Sequence, residues 1–600
     1  EFIKRKIKSK NRSRNRRSST AVEFVWGINN KFMQIYSDKS FSEPIEIIKA
    51  EGDLKQAFVR IDELRKKYYL LGYITYDFKK LYFEVFDKFE KYTPKTPKQL
   101  GTVIKPLISK ETYIKAINKI KEYIANGVTY EVNYTYPSEV LTNLNGLDLY
   151  EAILEKQKTP YNAYIETPEL TLLSYSPELF FKLRGNKILT KPMKGTAPRL
   201  GDEEDSKRRE FLFNDMKNRA ENIMIVDLLR NDLGRISKTG TVKVDKLFEV
   251  EEHPTVFQMT SEISSELEDE INLYDIFEAI FPCGSITGAP KISTMRVIDE
   301  LEQFNRNIYC GAIGFLSPEV CEFSVPIRIL YGKDNKYTYH AGGAIVWDST
   351  AEDEWEETLV KTKFLQTDFQ LIETAVDDWA RHVLRMKKSA HELGFKWNDE
   401  IENLDKTQGL LPSPREGACI TAACHDVNCS VSDSQKLRIT LDKKGNLQYQ
   451  LEQLSNKKTG RVLSDKNLKD YQVANASLND LASDLLPKVK LLGKVNSHNP
   501  FLYHKTTIRE AMPTDVFEHI RTNERGEITE GIFTNIAIKK DGKLYTPPVS
   551  CGLLNGTLRQ KLLEEDKLVE KIFYPRDLET ADKIFCFNSV RKMVEVQLCL

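Results

Sequence analysis

Long apolar runs are missing from this 600-residue sequence, so no transmembrane helix is predicted. Net charge is missing as well, because 88 basic residues balance 88 acidic ones. This balance removes the attraction that nucleic acid and anionic membranes exert on basic proteins, and we expect neither as a partner. Cysteine is scarce, with nine residues, which is typical of a reducing compartment. We therefore expect a cytoplasmic protein.

The N-terminal residues 1–20 are strongly basic, but no apolar core follows them. A secretory signal needs such a core, so we interpret residues 1–20 as a disordered tail. Cysteine and histidine also come together at Cys419, Cys424, His425 and Cys429. Their spacing matches no standard pair of zinc ligands, and we interpret them as ordinary side chains.

The chain is too long for one hydrophobic core, and its character changes near residues 363–369. We expect a first domain over 21–365 and a second domain over 366–600. Both mix helices with strands, so the predicted class is α+β. Apolar spacing predicts helices over 53–69, 111–124, 202–229, 354–365, 378–393 and 557–565. Alternation on both sides of a Lys-Lys-Gly turn predicts a β-hairpin over 436–452.

Residue types that carry chemistry are concentrated in four segments of the first domain. In chain order they are Ser-Pro-Glu at 176–178 with Pro-Met-Lys-Gly-Thr at 192–196, AENIMIVDLLRND at 220–232, GSITGAPK at 284–291, and Gly-Gly at 342–343 with the acidic helix that follows. On that helix, Glu354, Glu357 and Lys361 share one face. Two carboxylates on one face, with a third from another helix, form an oxygen cage suited to Mg²⁺. Glycines at 284 and 288 let backbone N–H groups approach an anionic ligand.

In this order the segments resemble the chorismate-utilising enzymes, a family that includes anthranilate, isochorismate and aminodeoxychorismate synthases. The resemblance extends over residues 50–363 and includes GVTYEVNYT at 127–135 and YCGAIGF at 309–315. It implies large antiparallel sheets packed like a β-sandwich with outer helices. It also implies chorismate as the substrate.

Position 194 distinguishes members of this family. Anthranilate synthases carry Pro-Ile-Ala-Gly-Thr, whereas this sequence has Pro-Met-Lys-Gly-Thr and in this is similar to the aminodeoxychorismate synthases. The resemblance implies that Lys194 attacks ring carbon 2 of chorismate while the 4-hydroxyl leaves, and that ammonia then adds at carbon 4. Because a nucleophilic amine must be neutral, we expect burial or nearby cations to lower the pKa of Lys194.

The same resemblance implies roles for further residues of the first domain. Glu178 is expected to be the general acid for the departing hydroxyl, and Glu221 and Glu357 are expected to bind Mg²⁺ with Glu354 nearby. The substrate carboxylates are expected to contact Thr287, Gly288, Tyr309, Arg328, Gly342, Gly343 and Lys361. The sequence has neither a Gly-x-Cys-x-Gly nucleophile nor a matching His-x-Glu. Ammonia is therefore expected from a separate glutamine amidotransferase subunit, or from solution at high concentration.

The second domain contains another set of motifs, YHKTTIR at 503–509, EITEGIFTNI at 527–536 and GLLNGTLR at 552–559. A pyridoxal-phosphate enzyme needs a lysine that joins the cofactor, an anion at the pyridine nitrogen and a phosphate cup. Lys505 and Glu530 are the residue types for the first two. Gly556 and Thr557 open a helix whose free N–H groups hold phosphate, and Arg385 supplies a cationic fork for it.

These motifs resemble the fold-type IV pyridoxal-phosphate enzymes, which include branched-chain aminotransferase, D-amino-acid aminotransferase and aminodeoxychorismate lyase. HKTT-x-R and GLLxGxLRQ favour the lyase. The resemblance covers 366–600, implies an α/β domain and places Arg591 near the substrate carboxylates. The cofactor site alone does not separate a lyase from a transaminase, because both begin with the same proton transfer. A homodimer through this domain is left open.

Together the two resemblances imply consecutive steps, because the expected product of the first domain is the expected substrate of the second. We therefore predict synthesis of 4-aminobenzoate for folate. One alternative is an anthranilate synthase-like domain fused to a branched-chain or D-amino-acid aminotransferase, and Lys194 argues against it. Another is a degenerate scaffold that binds a partner, and the intact Glu178, Lys505 and Glu530 argue against that.

Overall fold

The computed structural model describes residues 21–26, 32–253, 256–404, 435–453, 462–463, 486–508 and 515–599. The basic tail, the cysteine-rich stretch at 419–429 and Arg509 lie outside these residues, so the predictions made for them stay predictions. No helix among the described residues is long and apolar enough to cross a membrane.

Strands make up most of the regular structure in the first half. They are β1 Ala21–Trp26, β2 Gln34–Tyr36, β3 Lys39–Phe41, β4 Glu46–Glu51, β5 Tyr69–Ile74, β6 Lys80–Phe86, β7 Glu90–Lys91, β8 Thr102–Pro106, β9 Glu131–Thr142, β10 Tyr161–Glu166, β11 Thr171–Ser176, β12 Leu179–Arg184, β13 Lys187–Lys191, β14 Met193–Pro198, β15 Lys243–Glu252, β16 Val256–Glu266, β17 Gly288–Ala289, β18 Ala312–Leu316, β19 Cys321–Ser324, β20 Ile329–Lys333 and β21 Lys336–Ile345.

The helices of the first half are α1 Lys55–Leu64, α2 Lys110–Ala125, α3 Gly146–Leu154, α4 Asp205–Asn214, α5 Met216–Gly234, α6 Leu273–Ile280, α7 Lys291–Leu301 and α8 Ala351–Val360. The helix predicted over 111–124 is confirmed as α2. The single helix predicted over 202–229 is wrong, because the backbone at Asp215 is extended. The Asp215 carboxylate accepts a hydrogen bond from the backbone N–H of Asn218 at 2.8 Å, which ends α4 and caps the start of α5.

Two antiparallel sheets form the body of the first half within the described residues. One has the order β1-β4-β6-β5-β18-β19-β12-β13-β16-β14, with β15 also on β16. The other has the order β17-β9-β21-β20-β11-β10-β2-β3-β7, with β8 also on β9. One hydrophobic core joins the two sheets to α1, α5 and α6, and a second lies under α2, α3 and α8. The sandwich-like sheets with outer helices are therefore confirmed, and so is the α+β class.

The second half contains a smaller and a larger sheet. Its strands are β22 Leu371–Ala375, β23 Gln435–Leu441, β24 Leu447–Gln453, β25 Val462–Leu463, β26 Lys488–Val495, β27 Glu518–Asn523, β28 Ile528–Gly531, β29 Asn535–Lys540, β30 Lys543–Thr546, β31 Val569–Glu570, β32 Lys583–Asn588 and β33 Lys592–Leu598. Within the described residues its helices are α9 Trp379–Leu393, α10 Thr557–Glu564 and α11 Pro575–Glu579. The predicted hairpin is confirmed as β23 and β24, which pair antiparallel. The larger sheet runs β28-β27-β26-β33-β32-β29-β30-β31, with β25 also on β33, and mixes parallel with antiparallel pairs.

The two halves contact each other along β8 and β9. The Lys443 ammonium donates to the backbone oxygen of Thr102 on β8 at 3.4 Å, and the Asn499 amide donates to the backbone oxygen of Asn143, just after β9, at 3.2 Å. Val103 of β8 is buried in the hydrophobic core of the second half. The boundary predicted near residue 366 stays a prediction.

Candidate active sites

One face of the second sheet carries polar residues where β9 runs beside β21. The register pairs Thr135 of β9 with Gly342 of β21. Because alternate residues of a strand share a face, Glu131 and Thr135 lie on the same face as His340 and Gly342. Gly343 lies on the opposite face, toward α8. The first candidate site is built around this strand pair.

Lys194 on β14 points into this region and is 8% exposed. Its ammonium donates to the Oε1 atom of Glu131 at 2.5 Å. Burial acts to lower the pKa of Lys194, but the negative charges of Glu131, Glu221 and Glu178 outweigh burial, and the pKa is raised. The expected lowering of this pKa is therefore wrong for the chain by itself, because carboxylates from three separate segments surround the amine.

Glu178 lies between β11 and β12 and is 2% exposed. Its carboxylate accepts a hydrogen bond from the Ser285 hydroxyl. Burial raises the pKa of Glu178 to about 7, although this hydrogen bond and the charge of Lys194 act in the opposite direction. A carboxyl with this pKa holds its proton near neutral pH and is able to donate it.

The predicted acidic face of α8 is present and is aimed at β21. The Lys361 ammonium, at the end of α8, donates to Glu357 Oε1 and to the backbone oxygen of Gly342, both at 2.7 Å. A Cβ atom on Gly343 would lie 2.8 Å from Glu354 Oε2 and 3.7 Å from Glu357 Oε1. The absence of a side chain at 343 therefore makes the space in which these two carboxylates converge.

Glu221 on α5 links Lys194 to the α8 carboxylates. Burial raises the pKa of Glu221, the charge of Lys194 lowers it, and the charges of Glu131 and Glu354 raise it further. Burial also raises the pKa of Glu354, with Glu357 adding to the effect. Buried carboxylates that repel one another are stabilised by a cation, and their oxygen donors are the type that Mg²⁺ prefers.

A tighter acidic group lies elsewhere among the described residues. Oxygen atoms of Glu249, Glu251 and Glu262 lie within 4.8 Å of one another. Lys191 and Lys246 form ion pairs with members of this group. These lysines compensate its charge, and it shares no residue with the predicted metal site.

The GSITGAPK segment forms a short 3₁₀ turn over Gly284–Ile286, then β17, and then α7. Gly288 has φ +132°, and a Cβ atom there would lie 2.0 Å from the backbone oxygen of Glu131, so only glycine fits against β9. The Thr287 hydroxyl donates within the turn, to backbone oxygens 3.2 Å away. Contact of Thr287 and Gly288 with substrate stays a prediction.

Tyr309 and Arg328 lie beside β21, Tyr309 on the ring of His340 and Arg328 just before β20. The Tyr309 ring stacks on the His340 ring, with centroids 4.7 Å apart. Burial lowers the pKa of Arg328, and Tyr339 raises it. No ion pair joins Arg328 to a carboxylate in the described part of the chain. A guanidinium in this state is suited to receive a substrate carboxylate, and Arg328 stays a predicted substrate contact.

The second candidate site begins where the lysine segment pairs with β22. The backbone oxygen of Lys505 accepts from the Ile372 N–H at 2.9 Å, which places Lys505 beside Glu373. Burial acts to raise the pKa of Glu373, but the charges of Arg385 and Lys505 outweigh it, and the pKa is lowered. Arg385 donates to both oxygens of Glu373 at 2.8 Å. Its remaining nitrogen points toward the Asn555 backbone oxygen, 3.4 Å away.

The predicted phosphate cup lies next to Arg385. Gly556 is the N-cap of α10, and the Thr557 hydroxyl lies 3.1 Å from His382 Nε2. A Cβ atom on Gly556 would lie 2.1 Å from the side-chain oxygen of Asn535. The Asn535 amide in turn donates to Glu530 Oε2 at 3.2 Å. The helix start, Arg385 and Glu530 are therefore connected through Asn535 and Asn555, and their role in holding the cofactor stays a prediction.

Arg591 follows β32 and lies between two aromatic rings. Its guanidinium is 5.0 Å from the Phe517 ring centre and 5.7 Å from that of Phe533. Its Nη1 atom is 3.9 Å from Glu518 and has no hydrogen-bond partner among the described residues. This guanidinium is able to bind a carboxylate, and that role stays a prediction.

Three residues with evident roles at these sites were not singled out from the sequence. They are Glu131, which contacts Lys194, His340, which stacks on Tyr309, and Glu373, which holds Arg385. Glu131 had a local signal, because a charged residue at the inward position of a buried strand is unusual. The other two are identified only by their contacts.

Residues 54–367 match the family model described as chorismate binding enzyme, and this is a little over half of the chain. The chain belongs to this family. Residues 374–599 match the model described as amino-transferase class IV. The two matches follow the order in which the candidate sites occur, so the chorismate-binding family member carries a class IV segment after it.

Curated relatives match the first half. Aminodeoxychorismate synthase component 1 of Escherichia coli K12 is 38% identical over 276 residues, 45% of this chain and 60% of that protein. The Bacillus subtilis 168 protein of the same name is 35% identical over 279 residues, 46% of this chain and 59% of that protein. Anthranilate synthase component 1 of Aquifex aeolicus VF5 is 35% identical over 272 residues, 45% of this chain and 55% of that protein. The chain therefore spans about 60% of the length of its first relatives.

Proposed function

We propose that the chain makes 4-aminobenzoate in two steps. The first half aminates chorismate to 4-amino-4-deoxychorismate, and the second half eliminates pyruvate from that product. The observation that carries the proposal is the Lys194 amine, buried among carboxylates and beside Glu178. An amine in this position is placed to form a covalent bond, whereas the alanine of anthranilate synthases is unable to do so.

In the first step, the neutral Lys194 amine attacks ring carbon 2 of chorismate. Both ring double bonds shift along the conjugated system, the bond from carbon 4 to the hydroxyl oxygen breaks, and Glu178 donates the proton with which that oxygen leaves as water. Ammonia then attacks carbon 4, both double bonds shift back, and the Lys194 amine is expelled. The raised pKa of Glu178, about 7, keeps this proton available near neutral pH.

The carboxylates of Glu354 and Glu357 fit Mg²⁺, because they are oxygen donors on the side of α8 that faces the bare Cα of Gly343. Burial raises the pKa of Glu221, which is the third proposed ligand, and the charge of Glu354 raises it further. Bound Mg²⁺ supplies positive charge for a substrate carboxylate. Lys361 lies at the edge of this group and adds a second cation. Arg328 and Tyr309 are expected to orient the other carboxylate from beside β21.

Pyridoxal phosphate fits the second site because a helix start, a cationic fork and a buried carboxylate lie together there. Gly556, Thr557 and Arg385 would hold the phosphate, and Glu530 would face the pyridine nitrogen. The bound cofactor supplies an electron sink for the carbon that carries the amine. Lys505 then removes the proton from carbon 4, and the bond from carbon 3 to the enolpyruvyl oxygen breaks. The ring becomes aromatic, which favours the elimination.

Ammonia is proposed to come from a separate glutamine amidotransferase subunit, since the sequence has no glutaminase motif. The component 1 designation of the relatives supports a two-subunit arrangement. A homodimer through the second half and a cytoplasmic location stay predictions.

Product identification tests the proposal. The full chain with Mg²⁺, pyridoxal phosphate, chorismate and ammonium salt is expected to yield 4-aminobenzoate by liquid chromatography and mass spectrometry. Lys194→Ala is expected to stop chorismate consumption but to convert supplied aminodeoxychorismate normally. Lys505→Ala is expected to accumulate aminodeoxychorismate.

The matched control for Lys194→Ala is Lys191→Ala, because Lys191 lies three residues earlier and pairs with Glu251 and Glu262, which belong to neither candidate site. This control is expected to keep both activities. Anthranilate as the product would contradict the proposal and favour an anthranilate synthase-like enzyme fused to an aminotransferase. Unchanged activity in Lys194→Ala would contradict the covalent mechanism.

A further inference from the structure

Glu131 is a buried carboxylate that the mechanism above does not use. It is fully buried, and its Oε1 atom lies 2.5 Å from Lys194 Nζ. Its Oε2 atom is also buried and has no hydrogen-bond partner among the described residues. A buried carboxylate oxygen without a donor is unfavourable, so this arrangement needs a reason beyond stability.

The backbone of Glu131 is fixed from two sides. Its carbonyl oxygen accepts from the hydroxyls of Thr129 at 3.1 Å and Thr294 at 3.3 Å. Gly288 packs closely against the same oxygen, because a Cβ atom at position 288 would lie 2.0 Å from it. The carboxylate therefore starts from a rigid backbone position, which favours one geometry toward Lys194.

We propose that Glu131 is the proton acceptor that converts the Lys194 ammonium into the attacking amine. This inference rests on the proposed amination of chorismate. The surrounding carboxylates raise the pKa of Lys194, so the chain by itself holds this amine protonated and a base must remove the proton. Glu131 touches the reacting nitrogen and is within the distance that proton transfer requires.

The proton balance closes over one turnover. Glu131 takes a proton from Lys194, which leaves a neutral amine and a neutral carboxylic acid. The amine then forms its bond to carbon 2 while Glu178 protonates the departing hydroxyl. When ammonia enters at carbon 4 and expels the Lys194 amine, Glu131 returns the proton and the ion pair is restored. The ammonium formed on the product supplies the proton that Glu178 regains.

The charged groups that face Lys194 are Glu131, Glu221 and Glu178. Glu178 must be protonated to act as an acid, so it is not available as the base. Glu221 is assigned to Mg²⁺, and no ion pair within 4.0 Å joins it to Lys194 in the described structure. Of these three carboxylates, Glu131 is the one that contacts the amine directly and has no other function in the proposed mechanism.

The test is the rate at which chorismate attaches to Lys194 in one turnover without ammonia, followed by intact-protein mass over a range of pH. Glu131→Gln keeps the shape of the side chain but accepts no proton. It is expected to slow attachment by about 10²-fold or more at neutral pH. The ratio of the wild-type rate to the Glu131→Gln rate is expected to fall by about tenfold per pH unit, because the variant depends on hydroxide or solvent to deprotonate Lys194.

The ratio of the two rates is informative because the ionisation of Glu178 changes both rates with pH in the same way. Its effect therefore cancels in the ratio. A role limited to holding Lys194 in place would give a ratio that does not change with pH, and this result would overturn the inference. Glu131→Asp keeps a carboxylate, and it is expected to recover part of the rate with the pH dependence of the wild type. If Glu131→Gln does not fold, a Glu131→Asp ratio that changes with pH would overturn the inference.

Glu139→Gln is the matched control. Glu139 lies on the same strand and its carboxylate is 2.5 Å from Lys336 Nζ, but this pair lies at the surface. The Glu139→Gln variant is expected to attach chorismate at the wild-type rate. An equal loss of attachment rate in Glu139→Gln and Glu131→Gln would overturn the inference. Lys194→Ala separates the two proposals: normal amination by that variant would refute the proposed function, whereas its inactivity together with an unimpaired Glu131→Gln would refute only the inference.

Discussion

Glu178 and Ser285 show how one hydrogen bond tunes a catalytic carboxyl. Burial raises the pKa of Glu178 to about 7, and the Ser285 hydroxyl lowers it by stabilising the charged form. Because the raised pKa keeps the proton on Glu178 up to neutral pH, the acid is present below about 7 and is lost as pH rises above it. The rate of chorismate consumption is therefore expected to fall on the alkaline side of about 7.

Substitution of either residue is expected to change the alkaline limb of the pH–rate profile, which is the part where the rate falls above the pKa of Glu178. Glu178→Gln should lower the rate by about 10²–10⁴-fold and abolish the limb. Ser285→Ala should move the limb to higher pH, because it removes a hydrogen bond to the charged carboxylate. Steady-state chorismate consumption from pH 5.5 to about 9 measures both. A limb in Ser285→Ala at lower pH than in the wild type would contradict the assignment of Glu178.

At this scale, prediction from sequence depends on whether a residue belongs to a recognisable local motif. Lys194 and Glu178 lie in short motifs, and both are buried where the structure brings the carboxylates together. Glu131 also lies in a motif segment, GVTYEVNYT, but its partner Lys194 is 63 positions away, and the carboxylates around Lys194 raise a pKa that was expected to fall. Local spacing has no information on such a contact, because strand pairing alone creates it.

At the scale of elements, α8 packs closely against β21 because Gly343 of β21 has no side chain. This close packing leaves room for the carboxylates of Glu354 and Glu357. Gly343→Ala places a methyl group 2.8 Å from Glu354 Oε2, so this carboxylate must shift from its present position beside Glu357. Loss of such support for metal ligands typically costs about 10–100-fold in metal affinity. We expect the Mg²⁺ concentration at half-maximal chorismate consumption to rise by about that factor.

Gly234→Ala is the control for Gly343→Ala, because a Cβ atom at the end of α5 meets no neighbour within 4 Å. It is expected to leave the Mg²⁺ requirement unchanged. An unchanged requirement in Gly343→Ala would contradict the assignment of Glu354 and Glu357 to the metal.

The start of α10 gives a parallel prediction for the second site. Gly556→Ala places a methyl group 2.1 Å from the Asn535 side-chain oxygen, and Asn535 supports Glu530. Overpacking of this kind costs about 1–3 kcal/mol, which corresponds to about 5-fold to about 150-fold in affinity. Pyridoxal-phosphate binding, measured by visible absorbance, is expected to weaken accordingly. Gly493→Ala, where a Cβ atom meets no neighbour within 4 Å, is expected to bind as the wild type does.

Element prediction was correct where one face of a helix is apolar and wrong where a cap interrupts the pattern. Helix α2 buries Tyr113, Ile117 and Ile120, which follow helical spacing. The segment predicted as one helix over 202–229 is divided by the Asp215 cap, and an aspartate is equally compatible with a helix interior on the surface. The order of strands in the sheets was not predicted, since contacts between distant segments decide it.

On the scale of the whole molecule, the two halves share hydrophobic surface as well as hydrogen bonds. Val103 of β8, from the first half, is 4% exposed and packs in a core with Phe369, Leu371 and Phe501. A Cβ atom on Gly101 would lie 2.0 Å from Ile508 Cδ1, so the chain approaches the second half closely there. The stability of the second half is therefore coupled to β8.

This coupling predicts the effect of Val103→Ala. Removing two buried methyl groups costs about 1–3 kcal/mol, and the loss should be felt by the second half because its side chains line the resulting cavity. Thermal loss of the cofactor's visible absorbance, which reports on the second half, is expected at a lower midpoint. Val140→Ala is the control, because Val140 is fully buried in β9 but belongs to the core under α2, α3 and α8. An equal shift in both variants would mean that general weakening of the first half, and not the shared core, sets the stability of the second.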